Sequence, residues 1–429
     1  MIIILFITFI FLLLISFIIF DKDIMAPAFI FCAMYVVSIG LALTEYNEWL
    51  LQDYSIMAYC IYTGGAILFI LIGYIIKIGL GVGKTNIDAD SLSPINVNKI
   101  SLFIFLLIDI LALLLLIKDI KSMTGGGSLN HMTEMYRSLT SYSTDAQLPG
   151  YDQQLNKIVT VSAYICGFVL INNLMVGGFQ KIDLMLSIPL FIYFLYGLFL
   201  SNRLIWLELI GGLVTYYCLL RPIKYGSKNQ SIKLLINVIL VFILVLVLFY
   251  LVRLIVGRTA SRNTGMLDYL AMYIGGPVKL FDMYLKNPVY SDFWGKETFY
   301  GLIRNMRSLG LVDFPNYIVH KEFREINSIG LGNVYSAYRP WIADFGFRGV
   351  IILQSLFALF FNAIYYLLRK TNYYNHIFSL ILYGYIIYPV FLHPIDDEFY
   401  KMFFNIGFII YLLLFYISYV LLTKKFKIK

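Results

Sequence analysis

The sequence predicts an all-α polytopic integral membrane protein. Its 429 residues are 60% hydrophobic and only 14% charged, and apolar runs of about twenty residues recur from end to end. A soluble chain of this length does not tolerate such a composition. All four cysteines fall inside apolar runs, where a thiol behaves as a small hydrophobic group. They therefore predict neither a disulfide framework nor a metal site.

About eleven transmembrane helices are expected, each long enough to cross roughly 30 Å of hydrocarbon. The first run lacks a basic leader, is too long for a signal peptide and is followed directly by Lys22, so its amino end is expected outside. Alternation from there places most loop lysines and the carboxyl terminus in the cytoplasm, as the positive-inside rule requires. The expected spans are 2–20, 26–44, 55–76, 100–117, 157–178, 183–200, 204–220, 234–256, 345–367, 376–392 and 402–422.

This topology places about ten of the twelve arginines outside or at the outer interface. Lysine and arginine serve the positive-inside rule about equally, whereas a guanidinium offers a planar fork that fits carboxylate or phosphate oxygens. A large outer loop also needs cations for solubility, so two explanations stay open, of which we favour an anionic substrate. The net charge of +8 follows from short cytoplasmic loops beside anionic lipid and does not predict nucleic-acid binding.

Two segments, residues 118–156 and 257–344, are too long to be simple connections, and both are expected outside. The larger one is rich in Tyr, Leu, Phe and Ile, which predicts short amphipathic helices against the outer membrane face rather than disorder. One helix is expected from Met266 to Ile274, with a break at Gly275–Gly276 and a restart at Pro277.

Arginines in the larger loop come at helical spacing. Arg258 and Arg262 are four residues apart, and Arg304 and Arg307 are three apart, so each pair projects from one helix face. Adjacent like charges repel unless an anion lies between them, which favours a phosphate site, although a solvated helix face has the same spacing. The aromatic residues nearby suit sugar faces, but membrane-interface belts use the same residue types.

The stretch GNVYSAYRPWIADFGFRG, residues 332–349, is a polar segment just before the ninth long span. Pro340 can begin a helix, and Asp344 and Arg348 stand four residues apart at the outer end of that span. The positive end of such a helix, beside Arg339, would attract a pyrophosphate. The alternative is an Asp344–Arg348 ion pair that only anchors the helix end.

Two further motifs are weaker signals. GLGVGKTN, at 79–86, lacks the glycine that a phosphate-binding loop needs at position 78 and follows a membrane helix instead of a strand. HPIDDEFY, at 393–400, offers Asp396, Asp397 and Glu398 to Mg²⁺ or Mn²⁺, but acidic turns between spans are common and arginine can replace a metal at pyrophosphate. We therefore expect neither a metal nor another cofactor.

The motifs resemble those of the Wzy-type oligosaccharide repeat-unit polymerases of O-antigen and capsule synthesis. Many of these carry Asn-x-Tyr-Thr and then Asp-Phe-Gly-x-x-Gly before a membrane helix; here Asn333 and Tyr335 match, Ser336 replaces Thr, and 344–349 match the second element. YIGGP at 273–277 lies in the large loop, and SNRLIW at 201–206 is similar to a Ser-x-Arg element of polymerases and of the related O-antigen ligases.

The resemblance implies a fold akin to the C-type glycosyltransferases, forming one transmembrane domain over 1–429 with its active site in the 257–344 loop. The protein would be a multi-pass component of the cell membrane with its amino terminus outside and its carboxyl terminus cytoplasmic. Its substrates would be two undecaprenyl-pyrophosphate-linked glycans. A hydroxyl of the incoming unit would attack the anomeric carbon of the growing chain and release undecaprenyl pyrophosphate. Besides the lipid bilayer, a flippase and a chain-length regulator are candidate partners.

This chemistry needs cations at the pyrophosphate leaving group and a base near the acceptor hydroxyl. The pyrophosphate-binding candidates are Arg203, Arg258, Arg262, Arg304, Arg307 and Arg339. The catalytic candidates are Asp344, His320 and Glu325, with Glu322 beside them. The glycan-binding candidates are Asn333, Tyr335, Tyr338 and Trp341.

Two other functions stay open. An O-antigen ligase would share this architecture, and His320 in IVHKEFRE keeps that alternative. A flippase or other transporter usually places ionisable groups near the bilayer midplane, where only Asp109 and Glu208 fall here, and does not need so large an external loop. Polymerisation is the function that we expect.

Overall fold

The computed structural model is built almost entirely of helices. It describes residues 1–82, 92–142, 147–225, 231–253, 264–314, 317, 319, 321–370 and 376–423. The helices are α1 (Ile2–Ile19), α2 (Pro27–Leu43), α3 (Ile56–Gly79), α4 (Lys99–Thr124), α5 (Leu129–Tyr142), α6 (Gly150–Gly177), α7 (Lys181–Phe199), α8 (Leu204–Tyr225), α9 (Ser231–Val252), α10 (Met266–Leu270), α11 (Gly276–Lys286), α12 (Tyr300–Ser308), α13 (Tyr338–Lys370), α14 (Ile377–Ile386), α15 (Tyr388–Leu392), α16 (Phe399–Phe403) and α17 (Ile406–Thr423). Two short strands, β1 (Arg324–Ile326) and β2 (Ile329–Gly332), pair as an antiparallel hairpin.

Nine helices in the described part of the chain are long and apolar enough to cross a membrane, namely α1, α3, α4, α6, α7, α8, α9, α13 and α17. Helix α2 and the stretch Ile377–Leu392 are apolar but shorter. Large apolar side chains on these helices face outward, with Phe11 62% and Ile18 72% exposed. Lipid accepts such surfaces, whereas water penalises a continuous apolar band. The prediction of an all-α polytopic membrane protein is confirmed, while the count of eleven spans stays a prediction.

The two long connecting segments contain much regular structure. Helix α4 runs on to Thr124 and α6 begins at Gly150, with α5 between them, so most of 118–156 is helical. In the larger segment, a π-helical turn over Ala271–Gly275 joins α10 to α11 where the sequence predicted a break. A Cβ atom on Gly275 would lie 2.5 Å from the backbone nitrogen of Ala42, so glycine here permits close packing against α2. Pro277 lies in the first turn of α11, as predicted.

The chain divides into two compact units that are interleaved along the sequence. The first contains α1 to α3, α10 to α13, α15, α16 and the hairpin. In it α13 lies along α3, where Gly65 and Gly73 leave room for the side chains of Tyr338 and Asn362. Gln354 also donates from Nε2 to the Gly65 carbonyl at 3.1 Å. Small residues permit this close helix packing in membrane proteins. The single transmembrane domain expected over 1–429 stays a prediction.

His393 lies at the centre of the first unit's core. Its Nδ1 is 2.9 Å from the Tyr35 hydroxyl and its Nε2 is 3.1 Å from Gln354 Oε1. The rings of Phe31 and Phe357 pack against it. Burial lowers the pKa of His393 to about 3, so the imidazole is neutral and joins the core by two hydrogen bonds.

The second unit contains α4 to α9, α14 and most of α17. Helix α6 is its most buried span and packs against α4, α7 and α8. Ser162 on α6 donates to Asp109 on α4 at 2.7 Å, which gives this buried carboxylate a partner. The Tyr216 hydroxyl donates to the Ile381 carbonyl at 2.7 Å, across a contact in which Gly384 leaves room for the tyrosine ring.

Candidate functional site

The polar stretch 332–349 forms the first part of α13. The helix starts at Tyr338 with Pro340 in its first turn, as expected, but it is interrupted at Gly346. The backbone there has φ 66° and ψ −165°, a conformation that is essentially restricted to glycine. The chain therefore forms a short polar helix before the kink and a long apolar helix after it.

Arg339, in the polar half, is buried and clamped by carboxylates. Its Nη1 donates to Glu297 Oε2, and its Nη2 donates to Glu322 Oε2 at 2.6 Å. The guanidinium carbon also lies 5.1 Å and 5.2 Å from the ring centroids of Tyr284 and Tyr335. At 1% exposure, Arg339 joins three segments of the first unit and presents almost no surface to a ligand in this conformation.

Asp344 is held by backbone donors. Its carboxylate accepts from the backbone nitrogen of Thr298 at 2.7 Å and from that of Glu297 at 3.1 Å. The side chain of Glu297 also accepts from Arg339. The polar half of α13 therefore binds the segment 297–298 through both its main chain and its side chain. The ion pair between Asp344 and Arg348, which the spacing suggested, is not formed, and Arg348 is exposed.

Helix α12 begins two residues after the segment that Asp344 fixes, and it carries the predicted arginine pair. Arg304 is exposed and Arg307 is half-buried, and neither forms an ion pair with a described residue. A neighbouring face of α12 is anchored, because Asn305 donates to Asn405 Oδ1 at 2.9 Å and Gly301 packs on the Lys401 carbonyl. The two guanidinium groups are therefore displayed on a fixed helix and are available to an anion.

An open groove of about 630 Å³ lies where α11 ends beside β1. Its residues are Met283, Asn287, Pro288, Val289, Glu322, Phe323, Arg324 and Glu325. Arg324 is fixed by the carbonyls of Met283 and Asn287, at 2.6 Å and 2.7 Å, and by Glu322 at 2.9 Å. Partial burial opposes ionisation of Glu322, but Arg339 and Arg324 hold its pKa below the ordinary value. Glu325 is exposed, and no described cation pairs with it.

The structure places the aromatic glycan-binding candidates in the core. Tyr335, Tyr338 and Trp341 are all 0% exposed. The Tyr335 hydroxyl donates to the Glu322 carbonyl at 2.9 Å, and the indole of Trp341 donates to Asp397 at 2.8 Å. Asn333 is half-buried near the Lys321 carbonyl. These rings hold the fold in place and present no face to a glycan in this conformation.

The acidic turn 393–400 is neutralised by lysines. Asp396 bridges Lys321 and Lys401, at 2.5 Å and 2.6 Å. Burial opposes ionisation of Asp396, but the two lysines hold its pKa well below the ordinary value; burial itself lowers the pKa of Lys321. Burial raises the pKa of Asp397 to about 7. Among the described residues no group of three or more His, Cys, Asp or Glu side chains is placed to hold a metal ion, and a metal-free reaction stays a prediction.

The remaining candidates lie elsewhere. Arg203 belongs to the second unit, where it is 5% exposed and its guanidinium carbon lies 4.3 Å from the centroid of the Phe249 ring. Arg258, Arg262 and His320 lie outside the described residues. The first unit thus contains Arg304, Arg307, Arg339, Asp344, Glu325 and the four glycan-binding candidates.

Sequence reasoning missed the groups that organise this site. Glu297 and Tyr284 contact Arg339 across 42 and 55 residues of chain, and neither lies in a recognisable motif. Lys321 neutralises Asp396 from 75 residues away. A buried arginine needs carboxylate partners, but Glu297 and Glu322 each stand beside a lysine in the sequence, so no local excess of acidic residues marks them as those partners.

No match is found for this chain among protein-family models, curated proteins or solved structures. The assignment of function therefore depends on the chemistry of the residues themselves.

Proposed function

We propose that this protein is a glycosyltransferase that joins lipid-pyrophosphate-linked oligosaccharide repeat units into O-antigen, capsule or exopolysaccharide. The observation that carries the proposal is the arginine pair on α12. Arg304 and Arg307 stand on one face of an anchored helix without an ion-pair partner among the described residues. Two guanidinium groups in this arrangement can take the oxygens of a pyrophosphate without first losing another partner.

The reaction assigns one task to each part of the site. The acceptor hydroxyl oxygen attacks the anomeric carbon of the donor, a new glycosidic bond forms, and the bond from that carbon to the pyrophosphate oxygen breaks. Undecaprenyl pyrophosphate leaves with the bonding electron pair, and Arg304 and Arg307 stabilise its charge. The hydroxyl proton passes to a base, for which Glu325 is our candidate because it is exposed, lines the groove and has no described cation partner.

The groove beside β1 is our proposed glycan site. Glu322, Arg324 and Glu325 offer acceptors and donors for sugar hydroxyls, and Met283 and Val289 offer apolar contacts for a sugar face. We transfer the glycan-binding role to these residues because Tyr335, Tyr338 and Trp341 are buried. Arg339 and Asp344 then act by positioning Glu297 and the start of α12.

The cellular setting belongs to the same proposal. The 257–344 segment lies at the outer face, the amino terminus outside and the carboxyl terminus in the cytoplasm, with eleven spans and a fold akin to C-type glycosyltransferases. A flippase would supply the lipid-linked units, and a chain-length regulator would act on the growing chain.

The test compares lipid-linked glycans in cells with and without the protein. Without it, single lipid-linked repeat units should accumulate at the outer face and long polymer should disappear. Accumulation at the cytoplasmic face would indicate a transporter. Long polymer that stays on its lipid carrier would indicate a ligase. Either result contradicts polymerisation.

Glu325→Gln tests the base at equal membrane abundance. It should lower polymer formation by about 10²–10⁴-fold, the usual contribution of a general base, without changing thermal stability. Asp292→Asn is the matched control, because Asp292 is an exposed carboxylate paired only with the neighbouring Lys296. If Glu325→Gln polymerises as well as this control, another group accepts the proton.

A further inference from the structure

The second unit contains a separate pocket with a mixed polar and apolar lining. It has a volume of about 200 Å³ and lies where α4, α6, α7 and α17 meet. Its residues are Leu116, Leu148, Asp152, Gln153, Asn156, Lys157, Tyr196, Leu200 and Tyr411. None of them belongs to the arginine pair or the groove described above.

Several oxygens of this pocket are buried without a hydrogen-bond donor. Asp152 is 1% exposed, and neither of its carboxylate oxygens accepts a hydrogen bond from a described N–H or O–H donor. Asn156 Oδ1 and the Tyr196 hydroxyl are also buried and have no hydrogen-bond partner among the described residues. The carboxyl of Asp119 lies within hydrogen-bonding reach of Asp152, but it is itself an acid and already accepts from the Tyr151 hydroxyl, so at most one shared proton joins the two groups. Buried polar atoms without hydrogen-bond partners are costly, so three side chains with such atoms around one cavity indicate a missing occupant that donates to Asp152 and Asn156 and can also accept.

The lining distinguishes between kinds of occupant. Lys157 also lines the pocket; its ammonium group donates to Gln154 Oε1 at 2.9 Å, keeps further N–H donors for a hydroxyl, and repels a cation. Three leucines and the rings of Tyr196 and Tyr411 supply apolar contacts. A hydroxylated ring meets all of these demands, because its hydroxyls donate to Asp152 and Asn156 and accept from Lys157 while its C–H faces contact the apolar side chains.

We propose that this pocket binds a single sugar ring, with Asp152 accepting from two of its hydroxyl groups. Asn156 and Tyr196 orient the ring and Lys157 donates to it. That the sugar belongs to a lipid-linked glycan rests on the proposed function, whereas recognition of a sugar does not. The pocket is then a second glycan site, formed by a different unit from the groove beside β1.

The test measures binding of free sugars to the purified full-length protein in lipid nanodiscs. The probes are glucose, galactose, mannose and N-acetylglucosamine, each titrated to about 100 mM. Saturation-transfer NMR measures their binding. Saturable binding of at least one sugar is expected. Asp152→Asn should weaken it at least tenfold and Tyr196→Phe several-fold. Ser187→Ala on α7, whose hydroxyl bonds only to its own helix, should leave it unchanged.

Thermal stability without sugar separates a lost site from a damaged fold. Asp152→Asn keeps the shape of the side chain and removes one of two neighbouring acids, Asp119 and Asp152, so the free protein should be at least as stable as the parent. The proposal is overturned if no probe binds saturably, or if Asp152→Asn binds sugar as tightly as the parent does. It is also overturned if sodium or ammonium chloride raises the melting temperature of the parent and not of this variant, while the sugars leave both melting temperatures unchanged. The last result would identify a cation site.

Two measurements, sugar binding and polymer formation, distinguish failure of the sugar site from failure of the proposed function. If sugar binding needs Asp152 but cells without the protein still form polymer, the sugar site is supported and polymerisation is contradicted. If no sugar binds but cells without the protein form no polymer, polymerisation is supported and the sugar site is contradicted.

Discussion

Arg339 and the arginine pair on α12 carry the same charge in opposite environments. Arg339 belongs to the motif that resembles a known family, yet it is buried and both of its terminal nitrogens are on carboxylates. Arg304 and Arg307 lie in no recognised motif, yet no described residue forms an ion pair with either of them on their anchored helix. A guanidinium that already holds two carboxylates must give one up before it binds a phosphate. The partners of an arginine, more than its motif, therefore indicate whether it is available to a ligand.

The largest expected effect is on stability, from Arg339→Ala. This change leaves the Glu297 carboxylate without its cation and Glu322 with Arg324 alone, and breaking a buried ion pair costs about 3–5 kcal/mol of unfolding free energy. Thermal unfolding of the purified protein in detergent measures it. Arg348→Ala, at an exposed arginine of the same motif, should change stability by no more than about 0.5 kcal/mol. Equal stability of the two variants would show that the clamp around Arg339 does not hold the fold.

Arg304→Lys and Arg307→Lys should act on the reaction and leave stability unchanged. Each keeps the charge and loses the bidentate fork, which at a preorganised site costs on the order of 10²-fold in rate, or about 2.7 kcal/mol. Polymer formed at equal membrane abundance is the measurement. Arg369→Lys is the control, because a lysine can keep the ion pair with Asp23. Full activity in both α12 variants would mean that these arginines serve solubility alone.

The neighbouring carboxylates Asp396 and Asp397 sharpen this comparison, because Asp396 forms ion pairs with lysines and Asp397 is held by neutral donors. Burial raises the pKa of Asp397 to about 7, from 3.8. Between these values the folded protein binds a proton that the unfolded chain does not, so the unfolding free energy falls as the pH rises from about 4 to about 7. Asp397→Asn should reduce that fall in a series of melting temperatures against pH. An unchanged pH profile would mean that Asp397 is ionised throughout the range.

Asp396→Asn is the matched comparison for Asp397→Asn. Lys321 and Lys401 overcome burial and lower the pKa of Asp396, so its contribution is present above the unfolded pKa of 3.8 and disappears as the pH falls below it. This variant should therefore lose stability at neutral pH and differ little from the parent in strong acid. His393 titrates in the parent and in both variants, so its contribution cancels when their pH profiles of stability are compared.

The smallest expected effect is that of a chelator. The carboxylate of Asp396 is already neutralised by two lysines, and Asp397 accepts from the Trp341 indole, so the acidic turn has little need of a cation. Turnover of the purified protein should be unchanged after treatment with EDTA. Turnover that is lost in chelator and restored by Mn²⁺ would contradict a metal-free site.

Features with a local cause could be predicted from the sequence. Apolar runs gave the long helices, and Pro277 and Pro340 lie in first turns as expected. The β1–β2 hairpin was missed because its turn uses Asn327 and Ser328, both with positive φ, where an Asn-Gly pair would have been the recognisable signal.

Features with a long-range cause could not be predicted. Glu297 meets Arg339 across 42 residues, and Asp344 receives backbone donors that no side-chain pattern encodes. The burial of Tyr335, Tyr338 and Trp341 could not be predicted either, because the local sequence does not distinguish an aromatic ring in the core from one that binds a sugar. For Tyr338 the burial depends on how α13 packs on α3, where Gly65 leaves room for its ring.

The kink at Gly346 has a consequence for the biosynthesis of the protein. A charged residue at the centre of a helix entering the bilayer costs about 2.5–3.5 kcal/mol on the insertion scale. Arg339 and Asp344 both precede the kink, and the apolar run from Gly349 follows it. Because the backbone turns between them, insertion of the apolar half into lipid does not require the charged half to follow along the same helix axis. The glycine thus separates the two halves of one continuous segment while the chain is made.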